Sequence, residues 1–363
     1  MSGIAPVIFS GHNDRAVVAL CRYFSALARP FFLIAKDTAD AIFMTSWRDC
    51  VLMQRESPVL TSELMERVAR AVQQKGFVPA LCPTSEFLNR FALDHRVVMQ
   101  QQGWHWALPP LGIYARLSDK SQSPTVLQDL IGLRSPRLLA AGQWQAPCVL
   151  KPRTNISNGH VHYPRLCFSN EELVQALSTL EPGDWFAQAW VEGQSLYLCA
   201  YLDRQGNWSG FWQENLLQQP GGKSIVLART CNNPGIDVPN LMQGLHRFGY
   251  HGPFMLEIIR DQDGQLHFIE VNPRFWGPLE LARKACPDVL GRFLNDLDHE
   301  SGPPSGCVAT PPVHWYAWSF GAQQGACRVY PAVGDLPQTS ISQLLLTHDV
   351  YAALDTQALF SRH

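Results

Sequence analysis

The residues best suited to chemistry lie in one stretch, Phe254 to Trp276, which reads FMLEIIRDQDGQLHFIEVNPRFW. Two apolar runs flank Asp263-Gly264, a dipeptide that favours a two-residue type I′ hairpin turn, because both central positions need positive φ. Counting outward from that turn pairs Gln262 with Gln265, Arg260 with His267, Ile259 with Phe268 and Glu257 with Glu270. Directly opposed residues have Cβ atoms ~4.5–5.5 Å apart. The two-residue period of a strand puts Asn272 on the same face as Glu270. Like charges held face to face destabilise a sheet unless a cation lies between them. Two carboxylates and an amide oxygen suit Mg²⁺, a hard cation that keeps waters or phosphate oxygens in its other positions. Pro273 stops the strand, and Arg274 follows with a planar fork that matches phosphate or carboxylate. The alternative is a solvent-facing hairpin with two ordinary glutamates, against which the apolar Ile258, Ile269 and Val271 argue.

The elements that must position these groups can be read from periodicity. Val7 to Phe9, Phe31 to Ala35, Cys50 to Met53 and Val78 to Cys82 read as short buried strands. Between them lie amphipathic helices, one capped by Asn13, another capped by Thr61 and ended by Gly76. Strands alternating with helices imply a parallel sheet. No G-x-G-x-x-G follows the first strand, so a dinucleotide site has little support. Pro109, Pro110 and Gly112 break the rhythm and suggest a domain boundary. Beyond it come Ser118-Asp119-Lys120, a helix from Pro124 to about Leu130, and a strand ending in Lys151 (PCVLKP). A polar loop from Arg153 to Gly159 follows. A strand from Trp185 to Val191 is broken by Glu192-Gly193. Leu196 to Leu202 and Trp208 to Gln213 read as a hairpin, Val226 to Thr230 as a further strand, and Leu241 to Phe248 as a helix. From about Ser301 the text is rich in proline and glycine, and a helix near Ser340 to Leu346 follows.

Composition limits the rest. The chain has 363 residues, 46% hydrophobic and 17% charged, enough to bury a large core in two or three domains. Lys+Arg is 29 against Asp+Glu 31, which argues against a polyanion-binding surface, so no nucleic-acid partner is expected. No apolar run approaches the ~20 residues that cross a bilayer, and no leader pattern is visible, so a cytoplasmic protein without a membrane partner is expected. The ten cysteines are scattered too widely for zinc or redox motifs, which fits buried thiols in a reducing compartment. Only six residues are lysine, so a lysine at a motif position is less easily accidental.

Glu257 followed by Glu270-x-Asn272-x-Arg274 at the end of a hairpin resembles the magnesium and phosphate site of the ATP-grasp superfamily. Lys120 in its Ser-Asp-Lys step resembles the first phosphate-contacting lysine, and Lys151 in VLKP resembles the second. Gln188-Ala189-Trp190-Val191 before Glu192-Gly193 resembles the hinge strand whose backbone holds adenine. The segments QQPGGK (Gln218 to Lys223) and NPRFWGPLELA (Asn272 to Ala282) are similar to a branch of predicted carboxylate–amine ligases. The resemblance spans about residues 80 to 300. It departs in three places. Gln188 replaces a common acid, the acid that usually holds the ribose falls at Ser195, and the phosphate loop has only Gly159, with Asn155, Ser157 and Asn158 left to donate.

The resemblance implies an α/β (α+β) fold of ATP-grasp architecture. Its parts would be a Rossmann-like domain (1–112), a small lid subdomain (113–190), a large subdomain (191–300) and a C-terminal appendage (301–363). It implies ATP and Mg²⁺, or Mn²⁺, as cofactors. Glu257, Glu270 and Asn272 would hold the metal. Lys120, Lys151, Ser157, Gln188, Ala189, Trp190, Val191 and Ser195 would hold nucleotide, and Arg274 and Lys151 would be catalytic. The implied reaction joins a small-molecule carboxylate, activated as an acyl phosphate, to an amine. A small-molecule kinase and a non-catalytic nucleotide-binding regulator are the alternatives, and a homodimer is compatible with all three. His160 and His162 read as ordinary loop histidines, and Lys223 and Arg229 as candidate contacts to a substrate carboxylate.

Overall fold

Five short strands, apolar on both faces, form the first layer: β1 (Ile4–Phe9), β2 (Phe32–Ala35), β3 (Val51–Gln54), β4 (Val78–Leu81) and β5 (His105–Trp106). They pair in the order β3-β2-β1-β4-β5, with every pair parallel. Helices cover both faces, as buried parallel strands require. Thr61 caps the Ser62–Gln74 helix through a 3.2 Å hydrogen bond from Leu64 N–H, as expected. Asn13 precedes the Asp14–Ala26 helix but does not cap it. Its amide instead donates to the carbonyls of Thr84 and Phe275, tying the first domain to the loop after the site hairpin. The computed structural model describes residues 3–153, 156–157, 160–180, 183–300, 306–309, 312–333, 336 and 338–362.

The proline-marked boundary near residue 110 is bridged by a helix, Leu111–Ser118. Its Tyr114 is fully buried in the core under the first sheet, and Leu117 is buried in the core under the large sheet. The second layer is a four-stranded antiparallel sheet of β6 (Leu138–Leu139), β7 (Cys148–Pro152), β10 (Arg165–Cys167) and β11 (Trp185–Ala189), in the order β10-β7-β11-β6. A small hairpin, β8 (Ile156–Ser157) and β9 (His160–Val161), lies between β7 and β10 in the chain. The 170–177 helix on this sheet begins with a capping box of Ser169 and Glu172.

The third layer is a large sheet of β12 (Gln194–Leu202), β13 (Trp208–Gln218), β14 (Ile225–Cys231), β15 (Gly252–Arg260), β16 (Leu266–Asn272) and β18 (Trp315–Ala317), ordered β16-β15-β12-β13-β14-β18. The chain beyond residue 301, expected as an appendage, is woven into it. In addition to β18, β17 (Gly306–Ala309) and β19 (Arg328–Val329) both pair with β13. The tail helix spans Gln338–Thr347, close to its expected place. Six of the ten free cysteines are buried, and Cys307 is exposed. No helix among the described residues is long and apolar enough to cross a membrane.

One close backbone approach lies where β12 begins, beside its pairing with β15 in the third layer. A Cβ on Gly193, just after β11, would lie 2.1 Å from the carbonyl oxygen of Arg260 on β15. Only glycine leaves room there. Gly193→Ala is expected to lower unfolding free energy by roughly 1–3 kcal/mol, read from a denaturant melt, because rigid backbone must move to admit the methyl group.

Candidate active site

Glu257 and Glu270 are paired directly across β15 and β16, as are Met255 and Asn272. The route to this register differs from the one the sequence suggested. The turn is a three-residue loop. Asp261 N–H donates to the Gln265 carbonyl at 3.0 Å, Gly264 N–H donates to the Asp261 carbonyl at 3.1 Å, and of the turn residues only Gly264 has positive φ. The Asp261 carboxylate accepts from the N–H groups of Asp263 and Gln265, holding the loop in this form. The pairs next to it are therefore Arg260 with Leu266, Ile259 with His267 and Ile258 with Phe268, one residue off the expected set. A β-bulge at Ile269 then restores the expected pairing at the two glutamates. The carbonyl of Ile269, unpaired across the ladder, accepts a 3.1 Å hydrogen bond from Lys151 Nζ.

Both lysines expected at the site converge on this hairpin. Lys120 Nζ lies 2.6 Å from Glu270 Oε2, and the Lys120 N–H donates to the carbonyl of Arg153, just past β7. Lys120 and Lys151 are both buried. Asn272 Nδ2 donates to Glu270 Oε1 at 2.6 Å, and an Arg274 guanidinium N–H donates to Asn272 Oδ1 at 3.3 Å. Tyr197, paired with Glu257 across β12 and β15, donates its hydroxyl proton to the Glu257 carboxylate. Burial and the Glu270 charge push the Glu257 carboxyl up. Burial acts the same way on Glu270, but the Lys120 charge and hydrogen bond, with Asn272, outweigh it and hold that carboxyl down. Burial and the Lys120 charge lower the Lys151 ammonium.

These residues fit a divalent cation of the oxygen-seeking kind. Burial and the facing Glu270 carboxylate raise Glu257, and a cation held by both acids would offset these causes. Among the described residues there is no cluster of three or more His, Cys, Asp or Glu. Two carboxylates and an amide oxygen therefore suit an ion that takes further ligands from water or phosphate, as Mg²⁺ and Mn²⁺ do.

The hairpin faces a cleft of about 910 Å³ between the three layers. Gln188, Ala189, Trp190 and Val191 line its far wall. The N–H groups of Ala189 and Trp190 are taken by the carbonyls of Arg137 and Pro147. Gln188 is buried, its amide nitrogen donates to the Pro136 carbonyl, and its Oε1 has no donor among the described residues. Ser195 is not on this wall. It is fully buried, on the same face of β12 as Tyr197; its hydroxyl accepts from Asn215 Nδ2 at 2.8 Å and is hydrogen-bonded to the cleft residue Tyr330. Arg229 also falls outside the cleft and is held by Glu214 at 2.7 Å, whereas Lys223 lines it. The side chains of Ser157 and His160, and residues 154–155 and 158–159 of the phosphate loop, lie outside the described residues. His162 lines the cleft and meets the Trp185 ring edge to face.

Several cleft residues carry no local sequence signal. Tyr197 reads as one more aromatic in a strand. Arg328 and Tyr330 come from the tail: the Arg328 guanidinium lies 4.3 Å from the Trp190 ring centre and 4.4 Å from that of Tyr330. Arg15 comes from the first turn of a helix in the first domain. Tyr197→Phe is expected to weaken Mg²⁺ binding about tenfold, because it frees the Glu257 carboxylate to turn; a Mg²⁺ titration of nucleotide binding measures it.

In sequence the chain matches no protein family and no curated protein. Its fold matches solved structures closely. The biotin carboxylase domain of Hydrogenobacter thermophilus 2-oxoglutarate carboxylase, solved with MgADP and bicarbonate, is 15% identical. The match covers 88% of this chain and 75% of that one, with a TM-score of 0.67. Biotin carboxylase from Campylobacter jejuni, in complex with β-γ-ATP, is 13% identical over 87% of this chain and 76% of that one, with a TM-score of 0.66. An N5-carboxyaminoimidazole ribonucleotide synthetase in its ADP complex is 12% identical over 86% and 81%, with a TM-score of 0.61. With its parallel sheet and its antiparallel and mixed sheets, the likeness to these structures gives this chain the ATP-grasp fold.

Proposed function

We propose that this chain is an ATP-dependent ligase that activates a small-molecule carboxylate as an acyl phosphate and joins it to an amine. The observation that carries this reading is the facing pair Glu257 and Glu270, half-buried beside Lys120 and Lys151 at the floor of one large cleft. On this reading residues 1–112 are the Rossmann-like domain, 113–190 the lid, 191–300 the large subdomain, and 301–363 the C-terminal part that closes the cleft. The neighbours solved with MgADP, ADP or β-gamma-ATP support a nucleotide in the cleft.

The nucleotide's adenine fits the wall from Gln188 to Val191. The unpartnered Oε1 of Gln188 is an acceptor of the kind an adenine amino group satisfies. Lys120 and Lys151 offset phosphate charge, and Arg274 orients the reacting carboxylate or the transferred phosphoryl group. Glu257, Glu270 and Asn272 hold Mg²⁺, which when bound neutralises charge developing on the phosphates. A carboxylate oxygen of the substrate attacks the γ-phosphorus, and the bond to the β–γ bridging oxygen breaks, releasing ADP. The amine nitrogen then attacks the acyl carbon, loses its proton, and inorganic phosphate leaves. A carboxylate is a poor electrophile at neutral pH, and phosphorylation supplies the leaving group. The chain's own work is positioning, charge neutralisation and exclusion of water from the acyl phosphate.

A screen of acids and amines for ADP release, with mass spectrometry of the product, tests this reading. ADP release that needs an acid and an amine together supports it, and a single stable phosphorylated product would replace it with a kinase. Glu270→Ala is expected to cut turnover by at least roughly 100-fold while the melting curve stays cooperative; near-normal activity removes the metal assignment. Lys151→Ala is expected to raise the KM for ATP about tenfold, the scale of one lost hydrogen bond to a charged group, and initial rates across ATP concentrations measure it.

A further inference from the structure

We infer that the cleft contains a second anion subsite, built by Arg15, Ser224 and Lys223, so that the carboxylate substrate carries a second acidic group, a carboxylate or a phosphate. This inference rests on the ligase reading for the first acidic group, which Arg274 and the metal site receive.

The argument begins with the topology of the first sheet. The strand order β3-β2-β1-β4-β5 reverses direction between β1 and β4. Ligands of open parallel sheets bind in the crevice at the carboxyl ends of the strands on either side of such a reversal. His12, Asn13 and Arg15 follow β1, Thr84 to Phe87 follow β4, and all line the cleft.

The charges at that end are unbalanced. The three acids on the cleft wall are each engaged: Glu86 with Arg90 at 2.8 Å, Glu257 with Tyr197, and Glu270 with Lys120. Lys120 and Lys151 are the cations that act on the two site glutamates. Four cations remain: Arg274, assigned above to the first acidic group, Arg328, stacked on Trp190 and Tyr330, and Arg15 and Lys223. Arg15 donates to Ser224 Oγ at 2.8 Å, to the Ile225 carbonyl at 3.1 Å and to the Tyr316 hydroxyl at 3.4 Å, and its guanidinium stacks 4.0 Å from the Trp318 ring centre. All of these partners are neutral. Lys223 Nζ sits 5.5 Å from the ring centre of Tyr163. Among the described residues no carboxylate lies within ion-pairing distance of either cation, and Ser224 joins them.

Two further features belong to the same place. The loop that carries Arg274 runs on to Gly277, where a Cβ would lie 2.9 Å from an Arg15 guanidinium nitrogen, so glycine is what lets this loop and Arg15 share the wall. Between them, Trp276 lines the cleft with an indole N–H that has no acceptor among the described residues. A fixed guanidinium fork, a mobile ammonium and a hydroxyl, with a spare donor nearby, match the oxygens of a carboxylate or phosphate. The single loop 274–277 thus touches both acid-binding positions, which sets the two acidic groups on one small molecule.

Calorimetric titration of the full chain in the presence of Mg·ADP tests the subsite. The probes are succinate, glutarate and adipate, each against its own monoamide, and 4-phosphonobutyrate against butyrate. At least one dianion is expected to bind tenfold or more tightly than its monoanionic partner, and the carboxylate and phosphonate arms separate the two anion types. Lys223→Gln lies in an exposed turn and is expected to reduce that preference to less than threefold; Arg15→Gln is expected to do the same if its melting curve shows a folded protein. Equal or undetectable binding within every pair, or a preference that survives Lys223→Gln, overturns the inference. ADP release with the same acids and an amine mixture keeps the two readings apart. A dianion preference without ADP release removes the ligase and leaves the subsite, whereas ADP release without the preference removes the subsite and leaves the ligase.

Discussion

Two carboxylates forced together out of bulk water are the constraint around which this molecule is arranged. Left alone, Glu257 and Glu270 would repel each other and each would resist ionisation. The fold answers with positive charge brought from elsewhere in the chain: Lys120 from the step before a lid helix and Lys151 from β7. Neither lysine is near the hairpin in sequence, so the four-stranded sheet must pack on the large sheet for the pair to be tolerable. The bonds of Lys120 to Glu270 and of Lys151 to the Ile269 carbonyl cross between the two layers, and the Lys120 N–H to Arg153 carbonyl bond ties the two lysine-bearing segments together. Electrostatic need and tertiary contact are here the same requirement.

The hairpin shows how a correct pairing can follow from an incomplete reading. The sequence Asp-Gly suggested a two-residue turn, whereas the chain makes a longer loop because the Asp261 carboxylate binds the N–H groups of Asp263 and Gln265. That loop shifts the ladder by one residue. The bulge at Ile269 shifts it back, and its freed carbonyl becomes the acceptor for Lys151. Local dipeptide preference could not reveal the bulge, because its stabilising partner lies more than a hundred residues away. The two glutamates were legible because charge placed in apolar strands is conspicuous, whereas the two lysines came from the resemblance and now lie beside that pair.

Other positions were illegible for a plain reason. Ser195 was placed by analogy of spacing, and its hydrogen bonds with Asn215 and Tyr330, neither near it in sequence, leave it buried. Arg229 looked available only because its partner, Glu214, is on the neighbouring strand. Arg15, Arg328 and Tyr330 reach the cleft from opposite ends of the chain, and nothing in their local sequence indicates a shared wall. The parallel sheet and the tail helix, by contrast, were visible in periodicity, since that signal acts over a few residues.

The interweaving of the tail has a consequence for how the molecule is made. Strand β13 is buried along its whole length, and two of its neighbours, β17 and β19, are supplied from beyond residue 305. A nascent chain leaving the ribosome therefore holds an unfinished sheet, with Arg328 and Tyr330 absent from the cleft, until synthesis has passed residue 330. The first sheet can form early, since it is complete by Trp106, but the finished cleft comes more than two hundred residues later.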